Sequence, residues 1–176
     1  MHCKTIWILS LLSFLFSACS SKEEKVLFQV YNQEKQYNKK LLHTEKIQLY
    51  DRNETQVLLT ATYLFQENNR QKEDNTEDEV FIVGLNMENE KTRDLLSKDL
   101  NLTLEGTLPK SVKILKNSDK SLKDIPIVTE WGDYFKVTFP HTTRQKFDLV
   151  FSSKKYGTKK LHFAKKAKYV FTKEAF

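Results

Sequence analysis

An antiparallel β-sandwich, all-β with at most one or two short helical turns, is the fold class the 176-residue sequence predicts. Three observations carry it. Apolar residues alternate with polar ones in about eight to ten short runs, the period of a half-buried strand. The runs are rich in Val, Ile, Thr and Phe and recur every ~8–15 residues, the spacing of a sandwich or barrel. Glycine (4) and proline (3) are scarce while 39% of residues are hydrophobic, so the chain is core-forming rather than low-complexity.

The N-terminus is read first, as an address. Residues 1–18 are MHCKTIWILSLLSFLFSA: one cation, Lys4, then a largely apolar run from Thr5 to Phe16, then the small residues Ser17 and Ala18. This is the layout of a secretory signal, with a run too short for a spanning helix, which needs ~20 residues. The block Phe16-Ser17-Ala18-Cys19 resembles the lipobox of bacterial lipoproteins, with Phe16 where an aliphatic residue is more common. That resemblance covers only the first ~20 residues. It implies cleavage before Cys19, a thioether-linked diacylglyceride on its thiol and further acylation, palmitate included, of the new amine. Ser20, rather than Asp, after the cysteine implies sorting to the outer membrane. Two or three acyl chains anchor stably where one does not. Cys3 leaves with the signal, so the exported part carries no free thiol and no disulfide. The expected organisation is a signal peptide over 1–18, a lipidated tether over 19–25 and a sandwich domain over 26–176.

The strands of that domain are then read in order. Val26, Phe28 and Val30 give the first. Ile47 and Leu49 follow, then Val57 to Phe65, Phe81 to Met87, and Leu100, Leu102 and Leu104. Val112 and Ile114, Phe135 to Phe139, Phe147 to Phe151, Leu161 with Phe163, and Tyr169 with Phe171 complete the series. Residues 90–99 and Leu41-Leu42 are the places for short helical turns. Pro109, Pro126 and Pro140 fall at the edges of runs, where proline is tolerated. In architecture and export signal the chain is similar to small exported lipoproteins with variant immunoglobulin-like folds. It lacks the Cys…Trp…Cys pattern of antibody domains.

Local chemistry is sparse. His43, His141 and His162 are isolated, and His162 has the outward parity of its run; a metal site needs three or four converging ligands. Nucleophile elbows and phosphate loops are missing, and no cofactor is implied. The stretch 66–79, QENNRQKEDNTEDE, has six acidic residues and two basic ones but no glycine for a calcium-loop bend. It reads as a solvated hairpin loop rather than a cation site, its carboxylates facing water. Trp131-Gly132-Asp133 reads as a bend with Trp131 plugging one end of the sandwich, an exposed contact residue being the rival reading. Asn53 and Asn101 each lie in an Asn-x-Thr sequon with an acid two residues upstream, Asp51 and Asp99. This form resembles the acceptor of bacterial oligosaccharyltransferases and marks both as glycosylation candidates.

The stretch 154–173 has eight lysines and no acid. Lys154, Lys155, Lys159, Lys160, Lys165, Lys166 and Lys168 either cover the outer face of a strand pair against edge aggregation or contact an anionic surface, and the two roles are compatible. The expectation is an outer-membrane-anchored binding module with an envelope or surface protein partner, an adhesin or envelope-complex accessory, that binds no nucleic acid. The alternative is a periplasmic carrier or chaperone-like protein that holds a small or lipidic ligand between its sheets. An enzyme is not expected; it would need a cleft joining at least two of His43, His141, Glu130 and Asp133.

Overall fold

Period-two alternation builds eight antiparallel strands in a computed structural model that describes residues 22–64, 77–88, 95–97 and 99–165. The chain divides into two compact units, 1–35 and 36–176. A 20-residue helix, α1 (Lys22–Leu41), crosses that division. The strands are β1 (Thr44–Asp51), β2 (Glu54–Tyr63), β3 (Glu79–Met87), β4 (Leu100–Leu104), β5 (Ser111–Leu115), β6 (Asp133–Phe139), β7 (Lys146–Ser153) and β8 (Gly157–Ala164).

The helix corrects two expectations. Residues 22–25, read as tether, and Val26 to Val30, read as the first strand, are helical, so helix exceeds one or two short turns. The three-position alternation at Val26, Phe28 and Val30 is outweighed by its surroundings. Five lysines, three glutamates and three glutamines fill KEEKVLFQVYNQEKQYNKKL, which has no glycine or proline. These straight-chain residues lose little rotamer freedom in a helix. Lys39 and Lys40 sit in the last turn, against the negative end of the helix dipole. Val26, Val30 and Tyr31 are exposed. No helix among the described residues is long and apolar enough to cross a membrane. The run at Tyr169 and Phe171, most of 90–99, and Cys19 lie outside the described residues.

Sheet A has the order β1-β2-β3-β6-β5 and sheet B the order β4-β7-β8. β1, β2 and β3 form a meander; β4 crosses to sheet B, β5 and β6 return to sheet A, and β7 and β8 close sheet B. The hairpin of β1 and β2 turns on Arg52 and Asn53, both at positive φ (48° and 72°). Two such residues make the tight turn that matches strand twist, and Asn tolerates that conformation. The inward parities read from sequence form one continuous core. Leu59, Ala61, Phe81, Val83, Val137 and Phe139 of sheet A meet Leu102, Leu149, Phe151 and Leu161 of sheet B.

Sheet A is also covered on its outer face. Ile82, Leu115 and Tyr134 point away from sheet B and pack with Leu122 and Ile125 of the β5–β6 connection. A single 3-10 turn, Lys120–Leu122, holds that connection down, and Asp119 caps it by accepting the Ser121 N–H at 2.9 Å. Tyr134 ties its far end: the hydroxyl accepts the Thr129 N–H at 2.6 Å and donates to the Thr129 carbonyl at 3.1 Å. Its ring lies over Gly84. A Cβ at Gly84 would meet Thr60 Oγ1 at 2.7 Å and Tyr134 Cε1 at 2.8 Å. Gly84→Ala is therefore expected to cost about 1–3 kcal/mol by overpacking. Urea denaturation checks this, and an unchanged midpoint would contradict the packing.

Candidate binding surfaces

Three strands place their last inward-facing positions at one end of the sandwich, where the chain passes from α1 into β1. Tyr63 continues the inward series Val57, Leu59, Ala61; Glu79 begins the series Phe81, Val83, Leu85; Lys165 follows Leu161 and Phe163. Their side chains converge. Glu79 is 3% exposed. One carboxylate oxygen accepts the Tyr63 hydroxyl; the other accepts the Thr142 N–H at 3.1 Å and pairs with Lys165 Nζ at 2.8 Å. Lys165 Nζ also donates to the Thr142 carbonyl. His141 Nδ1 is 3.4 Å from the same carboxylate. Burial first, then the hydrogen bond to Glu79 and its charge, push the Tyr63 hydroxyl well above the usual phenol range, so it remains a donor. The Tyr63 ring stacks on Phe81 at 5.0 Å and meets Phe147 edge-on at 5.3 Å.

Two expectations are corrected here. Glu79 is a buried, fully paired carboxylate rather than a solvated loop residue. Lys165 is turned inward against it, so it is not a surface contact. A third concerns Trp131, which is 70% exposed rather than a plug.

Beside this cluster a cleft of about 550 Å³ opens between the starts of β1 and β7 and the end of β8. His43, Phe147, Phe163 and Ala164 form part of its wall, and polar groups from Glu105, Arg144, Asp148, Lys160 and His162 surround it. Asp148 receives His162 Nδ1 at 2.7 Å and Lys160 Nζ at 3.2 Å, while Arg144 Nη1 pairs with Glu105 at 2.5 Å. The hydrogen bond from His162, reinforced by Lys160, holds the Asp148 carboxyl below the usual carboxylate range. A carboxyl depressed on folding adds stability above its unfolded pKa and loses it as pH falls through the folded value. His162→Ala should therefore move the Asp148 titration upward, toward the ordinary range. NMR of the carboxyl carbon would show this, and an unmoved titration would mean the contact does not persist in solution.

The other sequence-derived residues separate. Lys154, Lys155, Lys159 and Lys160 are exposed on or near the β7–β8 hairpin. Lys154 pairs with Asp99 at 3.5 Å, and Lys159 Nζ lies 5.8 Å from the Tyr50 ring. Lys166 and Lys168 lie outside the described residues. Asn53 is exposed at the tip of the β1–β2 hairpin, and Asn101 is exposed on β4. His43 and His141 both flank the Tyr63–Glu79 pair. Asp133 and Glu130 lie at the opposite end of β6. Among the described residues no three His, Cys, Asp or Glu side chains gather as a metal site would require. No protein-family model matches the chain, and neither a curated protein nor a solved structure is significantly similar to it.

Proposed function

We propose that this protein is a lipid-anchored interaction module of the bacterial outer membrane, holding a sandwich domain toward an envelope or surface protein partner. The observation that carries the reading is Cys19, placed after an apolar run and two small residues and before a charged stretch. The fold supports a binding rather than a carrying role. A carrier needs an apolar cavity between its sheets, and Phe81, Phe135, Phe139 and Phe151, all at most 1% exposed, occupy that space. Among the described residues, the cleft beside β7 and β8 and a second one lined by Leu96, Leu100 and Leu108 both open at the surface rather than between the sheets. We further infer that the domain is a variant of the immunoglobulin-like sandwich with one added edge strand. Without β1, the orders β2-β3-β6-β5 and β4-β7-β8 correspond to the four- and three-stranded sheets of the constant-type domain.

Metabolic labelling with an alkyne fatty acid tests the anchor. Wild type should incorporate the label and Cys19→Ala should not. Equal labelling of both, or none of either, would reject it. Cross-linking in cells followed by affinity capture tests the partner: a protein captured with wild type and lost with the unanchored variant supports the role.

A further inference from the structure

The two flanks of the sandwich differ. On one, the edge strands β1 and β8 lie against each other, and Lys159 reaches over Tyr50 across them. On the other, β5 is the last strand of sheet A and, among the described residues, pairs with β6 alone. A strand paired on one side presents a row of backbone N–H and C=O groups on the other, a template for a further strand. Apolar side chains on one face of this edge reach solvent. Ile114 is 61% exposed, Val112 is half-buried, and Leu108, just before the strand, is 59% exposed.

The charge along the edge is one-sided. Residues 107–118, TLPKSVKILKNS, contain Lys110, Lys113 and Lys116 and no acid. Lys110 is engaged by Asp78 at 2.6 Å. Lys113 stands opposite Lys136 on the outer face, where the nearby carboxylate is that of Asp119, hydrogen-bonded to Ser121. Two lysines there face one carboxylate, and Lys116 extends the excess. This pattern argues against a second copy as the occupant. Two β5 edges paired antiparallel would bring the same lysines together across the seam, and like charges directly opposite destabilise.

We propose that the free edge of β5 is a strand-addition site for an extended acidic segment of a partner protein. Its apolar residues lie beside Val112 and Ile114, and on the other face its carboxylates lie beside Lys113. Main-chain hydrogen bonds supply the affinity and the alternating side chains the selectivity, as in other strand-addition complexes. This rests on the interaction-module reading but can fail separately, because a partner captured by cross-linking could bind elsewhere.

The probe is a short fluorescein-labelled peptide alternating valine and glutamate, titrated by anisotropy against the full chain in detergent micelles. Saturable binding is expected. Lys113→Glu should weaken it by about tenfold or more, the effect of reversing a close charge pair. The same peptide N-methylated at alternate backbone nitrogens should not bind. An unchanged circular dichroism spectrum confirms that the variant is folded. Three results would each overturn the proposal: no saturable binding by the peptide, equal binding by the N-methylated peptide, or undiminished binding by the folded charge-reversed variant. The first includes the case in which another part of the chain already occupies the edge.

Discussion

Glu79→Leu should destabilise the sandwich domain by about 3–5 kcal/mol, the usual cost of removing one partner from a buried ion pair. Glu79 is at the inward parity of β3 and almost fully buried, and the side chain of Lys165 is only 13% exposed. Removing the carboxylate leaves that ammonium with a single carbonyl partner, Thr142 O, and leaves the buried Tyr63 hydroxyl without its acceptor. Both losses are desolvation costs of buried polar groups. Chemical denaturation measures the change. A loss below ~1 kcal/mol would mean that Lys165 swings into solvent and that the pair is a surface one.

A double substitution separates charge from packing. Glu79→Leu/Lys165→Met removes both ions and fills the space with apolar groups, and such replacements are often neutral or stabilising. The double variant should therefore be clearly more stable than Glu79→Leu alone, a coupling expected only of contacting residues. If the two losses simply add, the pair does not exist as described. The cluster also sets where the C-terminal end of β8 is held, because Lys165 is fixed from both Glu79 and Thr142.

The parts legible in the sequence are those where one physical rule acts alone. Eight strands follow from alternation because each has one face on the inter-sheet core, and burial repeats with the pleat. The stretch at Val26 to Val30 failed because three alternating positions are also compatible with a helix, and the flanking Lys, Glu and Gln decide for helix. The outer layer on sheet A was hidden because it is closed by a connection rather than a strand. Its signal was Ile82, Leu115 and Tyr134, apolar or aromatic at positions where an exposed face would be polar. The Tyr63–Glu79–Lys165 cluster was legible in principle. Each residue continues the inward parity of its own strand, and a Glu and a Lys on core parity at strand ends have to meet partners. Reading residues 66–79 as one solvated loop and the lysines of 154–173 as one basic surface concealed the inward-facing Glu79 and Lys165.

Phe81→Ala is expected to be at least as damaging, at about 3–5 kcal/mol, for a different reason. Phe81 has no exposed surface and sits where the two sheets are tied together by rings. Its ring lies 5.0 Å from Tyr63 and 5.8 Å from Phe139 within sheet A, and 5.2 Å from Phe163 and 6.4 Å from Phe147 of sheet B. The cost of a large-to-small change depends on how far the surroundings can collapse. Here collapse is opposed twice. The partners belong to strands fixed by ladder hydrogen bonds, and Tyr63 is held in place by Glu79, so it cannot tilt into the vacancy without breaking a buried hydrogen bond. Phe81→Leu keeps most of the volume and should cost less than half as much. For a domain of this size the alanine change corresponds to a melting-temperature drop of roughly 10 °C. Calorimetry of the two variants checks the order as well as the size. Equal losses for leucine and alanine would show that aromatic geometry, rather than filled volume, is what Phe81 contributes.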